Sequence, residues 1–296
     1  MHCHLDGAVR PSTAEELAAE LGLDMPRPLR MVSPSDNPSQ AAYIAYFDPA
    51  IAILQTEAAL ERAALELGID SAAENIDYLE VRWAPRLHLR RGLSIPQVIS
   101  AVLAGLAAAP LRAVAIVCAM RQDTPEDNVA LAREAGRFAG RGVVGFDLAG
   151  DEIRYPAAPQ RPAFEAARAA SLRLTCHAGE AGEPSNVEEA LNLGVERIAH
   201  GVIGAHDPRI VERIRSEGVV LDLCPTANWK CKAVLSLAEH PLPRLVRAGV
   251  RCTISTDSRT VADTTLSREF ELASAMGMSD EELLRCNAVA YEAKFG

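Results

Sequence analysis

Met1-His2-Cys3-His4-Leu5-Asp6-Gly7 opens the chain, and its reading decides how the rest is read. His2 and His4 are two positions apart. In an extended strand, side chains i and i+2 share a face, so both imidazoles leave the end of a strand in the same direction. Two imidazoles on one face are a ready pair of metal ligands, while Cys3 points to the other side. Such a pair needs partners from elsewhere, and the fold must bring them together.

Strand-like runs recur along the chain at Tyr78–Trp83, Ala113–Cys118, Val143–Leu148, Leu172–His177, Arg197–His200, Val219–Cys224 and Val250–Thr256. Ala- and Glu-rich helical segments separate them, for example residues 96–109, 126–139 and 160–170. With the opening stretch this makes eight strand–helix units, which predicts a closed parallel (β/α)8 TIM-type barrel. No linker divides the chain, so residues 1–296 read as one domain. A helix is expected from Pro11, with Glu15 and Glu16 in its first turn, and a Pro- and Ser-rich loop over residues 24–39. Tyr43-Ile44-Ala45-Tyr46-Phe47 opens an apolar helical stretch running toward Leu67. That stretch either packs on the core or lies as a lid over an apolar pocket.

Composition narrows the function. Apolar residues make up 49% and charged ones 24%, the globular range. The net charge of −10 opposes a nucleic-acid surface, which requires clustered Lys and Arg. With no apolar run of membrane length and no signal peptide, no membrane role is expected. Seven cysteines without a CxxC pair read as reduced core thiols of a cytoplasmic protein.

Titratable residues gather at the C-terminal ends of the strand runs: His2, His4, Arg82, Asp147, His177, His200 and Asp257. That rim is where a barrel of this kind carries its active site. His2, His4, His177 and Asp257 offer three nitrogens and one carboxylate, a donor set suited to Zn2+ with a position left for water. Only Lys230, Lys232 and Lys294 are lysines, and none ends the fourth strand, so no carboxylated lysine bridges a second metal. One ion per chain is expected. Glu180 stands three residues past His177, where an apolar pocket would let it act as an acid. His200 is free to orient a water or to deprotonate it. His88, His206 and His240 read as surface residues.

These residues resemble the adenosine deaminase family of metal-dependent amidohydrolases, over nearly the whole chain. The resemblance rests on His2–Pro11, Asp147–Glu152, His177–Glu180, Arg197–Gly201, Cys224–Asn228 and Ser255–Asp257, which follow in the family's order and spacing. It implies that His2, His4, His177 and Asp257 hold zinc, that Glu180 protonates purine N1, and that His200 orients or deprotonates the attacking water. Asp257 and His200 would stabilise the tetrahedral adduct at C6, from which ammonia leaves to give inosine. It further implies that Gly150 donates a backbone N–H to N3, that Asp6 contacts the ribose 5′-hydroxyl, and that Tyr43, Ile44 and Phe47 form the lid.

Two features depart from the family pattern. Ser258 stands where a second acid usually contacts purine N7, and a hydroxyl can donate there without a proton shift. The chain looks trimmed at both ends, so a shortened first strand is expected. The expected function is deamination of adenosine and 2′-deoxyadenosine in purine salvage, with a purine nucleoside as the small-molecule partner and self-association left open. The alternatives are a deaminase of adenine or of 5′-modified adenosines, and an inactive truncated purine-binding homologue.

Overall fold

The structure, a computed structural model, describes residues 1–25 and 27–296. Every apolar run becomes a strand: β1 (Cys3–His4), β2 (Tyr78–Trp83), β3 (Arg112–Met120), β4 (Val143–Ala149), β5 (Arg173–Ala178), β6 (Arg197–His200), β7 (Val220–Leu223) and β8 (Arg251–Ile254). The strands lie side by side in chain order, each parallel to the next. β8 returns to β1 through a bridge between Cys3 and Asp257, with His4 N–H donating to Asp257 O at 2.6 Å and Asp257 N–H to His2 O at 3.0 Å. Those two bonds close the (β/α)8 barrel and place Asp257 beside both opening histidines.

The helices are α1 (Pro11–Glu20), α2 (Gln40–Ile44), α3 (Asp48–Ile53), α4 (Glu57–Ala73), α5 (Ile95–Ala108), α6 (Pro125–Gly136), α7 (Arg161–Ala169), α8 (Pro184–Asn192), α9 (Pro208–Glu217), α10 (Pro225–Lys230), α11 (Leu242–Arg247), α12 (Leu266–Ala275) and α13 (Asp280–Ala293). Their ends follow from local chemistry. Thr56 caps α4 by accepting from Ala59 N–H, and Ser279 with Glu282 boxes the start of α13. α9 stops at Gly218, whose φ of +69° is left-handed. Among the described residues no helix is long and apolar enough to cross a membrane.

Two helical expectations need correction. α1 begins at Pro11, so Glu15 and Glu16 fall beyond its first turn. The stretch from Tyr43 to Leu67 is not one helix but α2, α3 and most of α4. Pro49 lacks an N–H and so sits at a helix start. Gln55 then turns its side-chain amide onto Ile51 O and Leu87 O, at 2.6 and 2.9 Å, in the break before the Thr56 cap. The breaks leave α2 free to turn over the barrel mouth.

Alternation along β2 sends Leu79 and Val81 outward to the helices and Glu80 and Arg82 inward. The inward pair meets charge from across the barrel. Arg197 Nη2 lies 2.5 Å from Glu80 Oε2, and Arg82 contacts Asp147 at 3.0 Å and Asp222 at 3.4 Å. Thr253 donates to Asp222 at 2.9 Å, and the Phe295 ring lies 3.8 Å from the Arg197 guanidinium carbon. This layer is therefore ionic where barrels of this kind usually carry branched apolar residues. Arg82, expected at the site rim, lies beneath it. A cavity of about 200 Å³ sits lower still, between β1, β2, β8 and the last two helices. Its polar groups are spent on one another, Glu74 on Arg259 and Asp77 on Tyr291.

Removing one partner of a buried ion pair leaves an uncompensated charge. Glu80→Ala should therefore lower unfolding free energy by about 3–5 kcal/mol in urea denaturation. Glu217→Ala, which removes the exposed partner of Arg213 on α9, should cost less than about 1 kcal/mol. Equal effects would contradict this view of the interior.

Candidate active site

The C-terminal strand ends deliver the donors. His2 Nε2 lies 3.2 Å from His4 Nε2 and 2.9 Å from Asp257 Oδ1. His4 Nε2 lies 3.0 Å from His177 Nε2 and 3.5 Å from Asp257 Oδ1. Four ligand atoms around an ion at about 2.0–2.1 Å would stand about 3.3 Å apart at the corners of a tetrahedron. The observed spacings bracket that value, so the donor set and its geometry both fit one divalent ion. His200 also brings a ligand atom into the cluster, within 4.8 Å of those of His2, His177 and Asp257. Its Nε2 stands farther from Asp257 Oδ1, at 3.9 Å, than either His2 or His4 does.

Metal ligation requires neutral imidazoles and an ionised carboxylate, and the surroundings favour these states at His2, His4 and Asp257. Burial pushes His2 well below the ordinary histidine value and takes His4 down to about 3. His177 differs: burial opposes protonation, but the Asp147 carboxylate outweighs it and raises the ring. Its Nδ1 lies 3.0 Å from Asp147 Oδ2, which leaves Nε2 to face the other donors. Burial would raise Asp147, yet His177 and Arg82 hold it well below the usual carboxylate range. Asp257 is likewise held low, against burial, by His4 and His200. Asp257 and His200 adopt φ values of +60° and +75°, a left-handed backbone uncommon for such residues and frequent at functional sites.

Glu180 sits in a loop made rigid by another acid. Glu152, on the loop after β4, accepts from Gly179 N–H at 2.9 Å and from Ala181 N–H, so the peptides on either side of Glu180 are pinned. Glu180 Oε2 accepts from Gln40 Nε2 at 2.6 Å, while Oε1 lies 3.6 Å from His200 Nε2. Gln40 and Tyr43, three apart on α2, share a face and both reach into the site. The Tyr43 hydroxyl lies 3.3 Å from Asp257 Oδ2 and 2.6 Å from Ser258 Oγ.

His4, Asp6, Tyr43, Ile44, Phe47, Gly150, His177, Glu180, His200 and Asp257 line one cavity, closed on its outer side by α2. Burial pushes the Asp6 carboxyl up to about 7. Gly150 has a φ of +109°, and a Cβ there would come within 2.8 Å of Gln122 Oε1, so glycine keeps the backbone open to the cavity. Ser258 lies apart from this lining. Its hydroxyl is fully buried on Asp257 Oδ2, at 2.9 Å, and on Tyr43, so a contact to a ligand would require Tyr43 to turn aside.

Of the histidines expected at the surface, only His206 is exposed. His88 and His240 are buried, the first on Leu54 O at 2.8 Å and the second on Asn228 Oδ1 at 3.1 Å. Gln40, Glu152, Asn228 and His240 were not identified as site residues from the sequence. Gln40 carried a usable signal, the i, i+3 spacing with Tyr43. The others act across long sequence separations that spacing does not reveal.

Comparison with known proteins places this geometry. A family model described as adenosine deaminase matches residues 1–295. The chain is 36% identical over 302 residues to an adenosine deaminase of Enterococcus faecalis, covering 98% of this chain and 90% of the relative. Among solved structures, an N6-mAMP deaminase of Arabidopsis superposes with a TM-score of 0.91 at 26% identity, covering 100% of this chain and 92% of that one. An amidohydrolase of Burkholderia ambifaria, solved with bound zinc, gives 0.91 at 25% identity over 100% and 84%.

A partner that orients a ligating histidine typically changes ion affinity 10–100-fold when removed. Asp147→Asn should therefore weaken retention of a divalent ion by about that factor, read by competition with a chelator. Unchanged affinity would show that the Asp147–His177 contact does not serve the ligand.

Proposed function

The chain belongs to the adenosine deaminase family, whose members act as hydrolases on adenosine-like substrates, and on that premise we propose that it deaminates adenosine and 2′-deoxyadenosine to inosine and ammonia. The observation that carries the proposal is the shared cavity. His4, His177 and Asp257, suited to hold an ion, Glu180, suited to transfer a proton, and Asp6, suited to grip a ribose, all line it. His2 stands directly behind them, 3.2 Å from His4 and 2.9 Å from Asp257.

In this reading His2, His4, His177 and Asp257 hold one zinc ion per chain. When bound, the ion lowers the pKa of its water toward about 7, which makes a nucleophile accessible at neutral pH. The remaining work falls to the protein. Glu180 has Oε2 tied to Gln40, which leaves Oε1 to bring a proton to purine N1. That proton draws electrons toward N1 and makes C6 open to attack. His200 and Asp257 flank the attacking oxygen and the tetrahedral carbon, from which the amino group leaves as ammonia. Gly150 N–H meets N3. Asp6, whose carboxyl burial pushes up to about 7, meets the ribose 5′-hydroxyl as acceptor or donor. Tyr43, Ile44 and Phe47 cover the purine and exclude water. Ser258, tied to Asp257 and Tyr43, acts in this reading on the lid and the carboxylate; an N7 contact would need the lid to shift.

A nucleoside fits better than a nucleotide. Among the described residues lining the cavity there is no Lys or Arg, so a 5′-phosphate would meet the Asp6 carboxyl without a counter-charge. The seven cysteines, all free and buried, suit a reducing compartment. Residues 1–296 acting as one catalytic domain in cytoplasmic purine salvage complete the proposal.

Steady-state rates on adenosine, 2′-deoxyadenosine, adenine and N6-methyl-AMP test the substrate. The two nucleosides should have the highest kcat/KM. Adenine as the best substrate would remove the ribose role of Asp6, and N6-methyl-AMP as the best would replace the nucleoside reading. Glu180→Gln should lower kcat by about 10²–10⁴-fold while the ion content stays the same. Loss of the ion in that variant would place Glu180 among the ligands.

A further inference from the structure

The hydrogen bonds behind His200 have a defined polarity, because backbone N–H groups fix both ends. Cys224 N–H can only donate, and it lies 3.3 Å from Asn228 Oδ1. The atom it meets must therefore be the amide oxygen, and Asn228 Nδ2 must be the amide nitrogen. That nitrogen is 2.9 Å from His200 Nδ1. An NH2 group has no lone pair to offer, so His200 Nδ1 accepts and is unprotonated. In a neutral imidazole the single proton then sits on Nε2.

The same logic runs through the second histidine. Asn228 Oδ1 only accepts, so His240 Nε2, 3.1 Å away, carries the proton. His240 Nδ1 is left as an acceptor, and Leu242 N–H stands 3.2 Å from it. Burial pushes His240 down to about 3, which keeps it neutral. His200, Asn228 and His240 are all buried, so no solvent can reverse one link, and a donor facing a donor there would be costly. At the far end, His200 Nε2 is buried and has no hydrogen-bond partner among the described residues. It faces the space between Glu180 Oε1, at 3.6 Å, and Asp257 Oδ1, at 3.9 Å.

We propose that Asn228 and His240 are positioning residues that set His200 as a neutral Nε2–H donor, so that His200 stabilises the attacking oxygen by hydrogen bonding and does not take its proton. The inference rests on the deaminase reading and decides between the two roles open to His200. The water's proton then passes to Glu180 Oε1 and on to purine N1. A new bond joins the oxygen to C6, and His200 ends the step with the proton it began with.

The discriminating variant is Asn228→Asp. A carboxylate keeps the shape and still accepts from Cys224 N–H and His240 Nε2–H, but it now accepts from His200 as well. Long-range 1H–15N correlation spectra of 15N-histidine-labelled, metal-free protein read the tautomer without any turnover, with His200→Gln to assign the signal. The wild type should show His200 protonated on Nε2 alone, and Asn228→Asp should show a protonated Nδ1. In the zinc-loaded enzyme, kcat of Asn228→Asp should fall by about 10²-fold or more, with KM and zinc content within about three-fold. His240→Leu should also lower kcat, and His240→Gln, whose amide can donate to Asn228, should recover at least part of that loss. A wild-type spectrum with His200 protonated on Nδ1, or wild-type kcat in a tautomer-switched Asn228→Asp, would overturn the proposal. The expected spectra in a protein that turns over no adenosine would uphold the tautomer and overturn the deaminase reading instead.

Discussion

Everything at the barrel mouth depends on holding three imidazoles and one carboxylate with their donor atoms about 3 Å apart. Such groups repel or desolvate one another unless each is neutral, paired or bound to an ion. The fold meets this constraint in layers. β1 and the segment after β8 bond through backbone atoms, which fixes His2, His4 and Asp257 together. Asp147 orients His177 from below, and Arg82 holds Asp147 from lower still. The ionic interior is thus the foundation of the site: Glu80, Arg197 and Asp222 neutralise one another, and through Arg82 and Asp147 that network reaches His177.

The substrate side is built on the same economy of fixed polar groups. α2 is only five residues long, yet it closes the cavity because Gln40 and Tyr43 bond the carboxylates of Glu180 and Asp257. α2 is thereby tied to the two carboxylates that the proposed chemistry would use. Glu152 holds the Glu180 loop through two N–H groups, so the acid is placed by backbone rather than by its own side chain. Moving α2 away from the cavity would break the Gln40 and Tyr43 bonds and, in the proposed reading, free both carboxylates to face a purine.

Much of this was legible from residue order. The eight apolar runs became strands because burial against a ring of helices demands continuous apolar stretches. The His2–His4 spacing and the acids and histidines at later strand ends converged because a parallel barrel gathers its strand termini on one rim. What stayed hidden was contact between distant residues. His240 follows a 3₁₀ turn and looked solvated, but Asn228 draws it inward across twelve residues. His88 is buried on a carbonyl that only the break at Leu54 exposes. The ionic layer was equally invisible: alternation tells that Glu80 and Arg82 share a face, not that Arg197 and Asp222 arrive opposite them.

The central claim is that one ion, held by His2, His4, His177 and Asp257, serves a deamination cavity. The most direct measurement is titration of zinc into metal-free protein while following the loss of adenosine absorbance. No turnover is expected without metal, and the rate should rise linearly and break at one equivalent per chain. Turnover in the metal-free protein, or a break at two equivalents, would contradict the claim.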